Sequence, residues 1–237
     1  MTGERQIIPT VAAWKLVGAG LLLQIVLIWD MGAFILTDAL VERSLDLTDY
    51  PFTDPAVMGL NRLLVVTIWT ISVGMVVSWS RNRDLLNWVF NWEYDRTVLV
   101  AGFAAVGLHV LDNLVMSTVG SEDFAPRIFG EYGVFVFTYG SPEGTALFVA
   151  QSLYYLLEAL IVVFMIALFQ AAGEQQFGVP PVPWGGIGLA LTWGAFHFMM
   201  GATVEMLVLP LGMGVVYLLG RKHVIPVFLV VILTFFV

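Results

Sequence analysis

The sequence predicts an all-α, polytopic transmembrane helical bundle, and three observations carry that expectation. Hydrophobic residues fill 59% of the 237 positions and charged residues only 12%, against about 45–50% and about 25% in soluble domains. Seven apolar stretches recur along the chain, several near the length of about 20 residues that a crossing helix needs. The polar segments between them alternate between basic and acidic, the charge pattern of a chain threaded through a bilayer. No Pro- or Ser-rich linker, low-complexity tract or repeat interrupts the pattern, so residues 1–237 are expected to form a single integral membrane domain.

The first expected span, 11–37, has Arg5 before it and Lys15 at its start. It has no small-residue cleavage site behind a short apolar core, so it reads as a retained span rather than a signal peptide. An acidic loop follows, with Asp38, Glu42, Asp46, Asp49 and Asp54 against Arg43. The second span is expected at 61–79, with Arg81, Arg83 and Arg96 behind it, and the third at 97–119. Glu122, Asp123, Glu131 and Glu143 surround Arg127 in the next loop, which also holds the apolar run EYGVFVFTYG (131–140). That run is too short to cross and suits a re-entrant or interfacial segment, an eighth element beside about seven spans. The fourth span, 145–171, is long enough to tilt or protrude. A fifth at 184–203 precedes two short ones, 206–219 and 224–237, separated by a turn with Arg221, Lys222 and His223. The Lys/Arg bias places the N-terminus in the cytoplasm and, with seven spans, the C-terminus outside. The expected location is the plasma membrane of a prokaryote. Trp79, Trp88, Trp92 and Trp184 flank predicted helix ends, as an interfacial aromatic belt would.

The composition excludes several functions. Without cysteine there is no disulfide, thiolate nucleophile or Cys-ligated metal site. A net charge of −8 without any basic patch leaves the lipid bilayer, and no nucleic acid, as the expected partner. His223, beside two basic residues, is expected to be solvated or to face the lipid headgroups. Met199, Met200, Met206 and Met213 lack the clustering of a soft-metal site and read as packing residues.

Ionisable residues inside a bilayer are costly, and each is a functional candidate. Asp30 falls in the first span, His109, Asp112 and Asn113 in the third, Glu158 in the fourth and His197 in the fifth, with Glu205 near an end. His109, Glu158 and His197 are expected at about the same depth. Asp112 and Asn113 follow His109 by three and four residues, so they share its helix face. Gln151, Tyr155 and Glu158 form a polar stripe on the fourth span, which must face protein or water rather than lipid. One reading is a helix-bonding network, with contacts worth about 0.6 kcal/mol each. Another is catalytic: a glutamate beside an imidazole can deprotonate water and pass the proton on, while a second histidine or an asparagine amide steadies the oxyanion. His109, Glu158 and His197 also suit zinc or iron, and two histidines on facing helices suit haem.

Trp193-Gly-Ala-Phe-His197 is close to a Phe-x-x-x-His motif. The run LGMGVVYLLGRKHVIPVFLVVI is a Gly-rich helix ending in Tyr-Leu, a polar turn and a Pro-containing last helix, and QFG (176–178) stands before the fifth span. This C-terminal third, about 80 residues, resembles the CPBP intramembrane protease family, the CAAX-protease and bacteriocin-processing group that includes the prenyl-protein peptidases. The resemblance implies a glutamate-type peptidase in which Glu158 activates water with His197, acting on a membrane protein or a prenylated peptide. The family's Glu-Glu pair followed by Arg reads here as Glu158 and Ala159 followed by Val163, and Val231 and Phe235 lie where its second His and its Asn would fall. His109 and Asn113, an HxxxN on an upstream span, are candidates to supply those groups. An inactive family member acting as a membrane binding or scaffold protein, and a proton-coupled transporter using Asp30, Glu158 and the histidines, remain open alternatives.

Overall fold

A computed structural model of the protein describes residues 11–40, 54–81, 127–178, 182–201 and 204–236, together with 100, 103 and 107. Among these residues every regular element is helical. The elements are α1 (Ala13–Leu40), α2 (Pro55–Arg81), α3 (Arg127–Tyr139), α4 (Glu143–Phe177), α5 (Trp184–Leu189), a π-helical segment (Ala190–Gly194), α6 (Ala195–Met199), α7 (Glu205–Leu219) and α8 (Val224–Phe236). Within α1, α2 and α4 lie stretches long and apolar enough to cross a membrane, and α7 and α8 are shorter apolar helices. Residues 97–119, the expected third span, lie outside the described residues except for 100, 103 and 107, which are helical.

Two boundaries differ from the sequence expectation for local reasons. The run 131–140 belongs to a 13-residue helix that starts at Arg127. α2 starts at Pro55, well before residue 61. Asp54 caps it: its Oδ1 accepts from the backbone N–H of Ala56 at 2.8 Å and of Val57 at 3.2 Å. Asp at the cap with Pro at the first helical position is a strong start signal, because proline lacks an N–H that would have no partner there.

The axis of the fold is α4, which packs against α1, α2, α3, α5 and α8. Its 35 residues extend about 52 Å at 1.5 Å per residue. From Ile161 to Gly173 every residue is buried, so this half of the helix is apolar all round, as a central helix must be. Small residues let the neighbours close in. A Cβ on Gly185 would collide with the backbone carbonyl of Ile166, and one on Gly186 would sit 2.6 Å from Pro210 O. These contacts seat α5 between α4 and α7, the close helix approach that small residues permit. Trp69 ties α2 to α1 by donating its indole N–H to Val26 O at 2.7 Å.

One polar side chain sits in this apolar half, and it is fully engaged. Gln170 has no exposed surface. Its amide nitrogen donates to Glu174 at 2.8 Å and to Val182 O at 3.1 Å, and its oxygen accepts from Gly185 N–H at 2.9 Å. Glu174 in turn takes Lys222 at 2.7 Å. The end of α4, the start of α5 and the turn before α8 are thereby joined. In that turn Arg221 and Lys222 take left-handed backbone angles, with φ of 54° and 64°. The sharp reversal folds His223 inward, where it is 3% exposed, so the expectation of a solvated or headgroup-facing imidazole is wrong.

The outer surface is apolar. Trp14, Leu22, Ile25, Leu63, Met75 and Leu191 are all exposed on the helix exteriors, more than a water-facing surface ordinarily carries. Of the methionines, Met213 is buried while Met199 and Met200 face outward, so the last two are not packing residues. Trp184 stacks on Phe177 at 4.8 Å, at the ends of two helices, and Trp79 packs against the core. Trp88 and Trp92 lie outside the described residues.

Candidate functional site

The first half of α4 is built differently from the second. Gln151, Tyr154, Tyr155 and Glu158 are spaced by three, four and seven residues and therefore share one helix face. All four line a cavity of about 470 Å³, whose other walls come from α1, α2, α3, α7, α8 and the segment around the π turn. That volume lies in the range of small-ligand sites, about 300–1,000 Å³.

Glu158 is 5% exposed and Trp193 2% exposed, and the indole N–H of Trp193 donates to Glu158 Oε1 at 3.1 Å. Trp193 lies inside the π segment, where the N–H of Ala195 reaches back to Ala190 O, five residues away. Such insertions widen one helical turn and often occur at functional sites. Here the turn presents Trp193 and His197 to the same cavity. His197 is half-buried, and its Nδ1 lies 2.9 Å from Trp193 O. A carbonyl oxygen can only accept, so Nδ1 carries the hydrogen, which leaves Nε2 to face the rest of the site. The two rings pack at 4.3 Å. Trp193 thus holds the acid with its side chain and the imidazole with its backbone.

A second polar group lines the same cavity. Arg62 of α2 is 3% exposed. Its Nη1 lies 3.4 Å from Asp30 Oδ1, and its guanidinium lies 4.8 Å from the Tyr154 ring centroid. Tyr154 also donates to Asp30 Oδ2 at 3.2 Å. Next to it, Tyr155 donates to Glu131 of α3 at 2.7 Å and stacks on Phe235 of α8 at 5.2 Å. α8 therefore closes the cavity with an aromatic wall, and Val231 is wholly buried behind it.

Of the residues singled out from the sequence, Glu158, His197, Asp30, Gln151 and Tyr155 converge on this one cavity. His109, Asp112 and Asn113 lie outside the described residues, and so does the side chain of Glu205. Among the described residues no group of three or more His, Asp or Glu is arranged to hold a metal ion. The metal candidates His109, Glu158 and His197 thus contribute two described members. Sequence reasoning missed Arg62, Tyr154, Glu131 and the bridging part of Trp193. The Asp54–Pro55 start signal, read as such, moves Arg62 from the edge of the expected span at 61–79 into the interior of α2. No sequence signal marks the π turn.

Chemically, the cavity offers a carboxyl group oriented by an indole, an imidazole in one fixed tautomer, and an ion pair flanked by tyrosines. A carboxylate and an imidazole facing one cavity are the parts needed for proton transfer to and from a bound water. No protein-family model, curated protein or solved structure matches this chain.

Proposed function

We propose that this chain is a glutamate-type peptidase of the CPBP kind, embedded in the plasma membrane of a prokaryote with its N-terminus in the cytoplasm. One observation carries the reading: Glu158 and His197, from separate helices, open on one cavity and are held by the same residue, Trp193. The apolar exterior and the three long apolar helices support a bilayer setting.

In this reading a water molecule stands between Glu158 and the carbonyl carbon of a peptide bond. Glu158 takes a proton from the water as its oxygen bonds to that carbon. The C–N bond then breaks, and Glu158 returns the proton to the departing amine nitrogen. Neutral His197 accepts a hydrogen bond at Nε2 and positions the water. Trp193 fixes one carboxyl oxygen of Glu158, so its other oxygen meets the water. His109 and Asn113 are the proposed oxyanion partners. The substrate is a membrane protein or a prenylated peptide.

The test is cleavage of a reporter membrane peptide by purified protein in proteoliposomes. Glu158→Gln and His197→Ala are each expected to lower the rate by about 10²-fold or more, the worth of a general base. Glu158→Gln keeps an oxygen for the Trp193 N–H, so the variant is expected to insert and fold as the parent does. Parental cleavage by both variants removes the proposal. An absence of cleavage by the parent, with Glu158-dependent proton flux into the liposomes, replaces it with the transport reading.

A further inference from the structure

The helix pairings place the cavity toward one end of the bundle. α1 and α2 run antiparallel, with Asp30 beside Arg62 and Val26 beside Trp69. α1 and α4 do the same, with Asp30 beside Tyr154 and Gly20 against Phe169. Further along α4, Glu158 meets Trp193 while Ile166 meets Gly185. On its α8 side Tyr155 meets Phe235 while Glu174 meets the turn at Lys222. His197 is therefore two residues from the end of α6, Phe235 one from the end of α8, and Met206 second in α7, and all three line the cavity. Exposure along its wall rises toward this end. Glu158 and Trp193 are buried, Asp30 and Glu131 are half-buried, and Thr138, near the turn from α3 to α4, is exposed.

The two ends differ in charge. At the cavity end, the chain joining α1 to α2 (41–54) holds four acids and one arginine, and 127–143 holds Glu131 and Glu143 against Arg127. The far end gathers Lys15 at the start of α1, Arg81 at the end of α2, and Arg221 and Lys222 between α7 and α8. Lysine and arginine flanking the spans of a membrane protein collect on its cytoplasmic side.

We propose that the cavity opens on the extracytoplasmic face of the membrane, and that its substrate is a polypeptide segment already carried across the bilayer. The substrate rests on the peptidase reading above; the sidedness rests on the bilayer setting alone. A peptide lipidated in the cytoplasm and held in the inner leaflet lies at the wrong end of the protein. Of the two substrates of that reading, a membrane protein with an exported segment is the one this mouth can receive.

The chain has no cysteine, so single thiol reporters carry no background. Thr138→Cys puts a thiol on the cavity wall, Ser141→Cys one in the turn at the same end, and Gln176→Cys one at the far end of α4. The full-length variants in bacterial spheroplasts are treated with a membrane-impermeant sulfonated maleimide, before and after permeabilisation. Thr138→Cys and Ser141→Cys are expected to be labelled in intact spheroplasts, and Gln176→Cys only after permeabilisation. The reverse order, or a Thr138 thiol that stays unlabelled in intact spheroplasts, overturns the proposal. If Thr138→Cys does not fold, Thr234→Cys on the same wall decides in its place.

Turnover then tests the substrate, with one cleavable segment placed on either the outer or the inner side of a single-span reporter. Cleavage is expected for the outer reporter alone, falling about 10²-fold with Glu158→Gln. Glu158-dependent cleavage of the inner reporter, alone or with the outer one, overturns the proposal and keeps the peptidase. Outward labelling with neither reporter cut leaves the sidedness standing and removes the peptidase.

Discussion

Two buried glutamines on α4 are held in opposite ways. In the second half, Gln170 sits among wholly buried apolar residues and makes three hydrogen bonds that fasten α5 and, through Glu174, the turn at Lys222. In the first half, Gln151 is nearly as deep, yet it faces a cavity with its oxygen unbonded. The same side chain on the same helix is a structural fastener in one place and carries an unbonded oxygen in the other.

Substitutions sharpen this contrast, read as thermal unfolding of the detergent-solubilised protein. Gln170→Leu is expected to have the largest effect. It leaves the Gly185 N–H without its partner and Glu174 with one hydrogen bond fewer, while Val182 O keeps the Trp184 N–H, at about 2 kcal/mol in total, or a fall of about 4–8 °C in apparent melting temperature. Lys222→Met is expected to cost about 1 kcal/mol, because its partly exposed pair with Glu174 is screened by solvent, and the loss should shrink in high salt. The smallest effect has the opposite sign. Gln151→Leu removes an unbonded polar group and is expected to leave stability unchanged or raise it by up to about 1 kcal/mol. A Gln151→Leu variant as damaged as Gln170→Leu would erase the distinction between the two halves.

Much of the helical layout was legible in the sequence because hydrophobic length is a strong signal. The stretches 11–37 and 145–171 predict α1 and α4 to within a few residues at most ends. The i, i+4, i+7 stripe of Gln151, Tyr155 and Glu158 correctly predicts a face that meets protein rather than lipid. What sequence pattern hides is local geometry. α3 contains Gly130 and Gly133 among β-branched and aromatic residues, all weak helix formers, so length alone suggested a re-entrant segment. Arg62 falls at the edge of the expected second span, and the Asp54 cap, by starting α2 at Pro55, places it about two turns inside the helix. His223 is flanked by charge and looked solvated, but two left-handed residues turn it inward. Glu158 and His197 share a cavity as expected, while Trp193 as the piece that joins them depends on a wide turn that no residue type announces.

That wide turn is the place where the helix can absorb a change in chain length. A π turn holds one residue more than an α turn, so deleting a single residue within Ala190–Gly194 would restore ordinary winding and leave the helix on either side facing as before. His197 would stay on the cavity wall. A deletion in ordinary α winding has no such slack and swings every later side chain by about 100°, so the same loss of one residue between Gly194 and His197 would carry the imidazole away from Glu158.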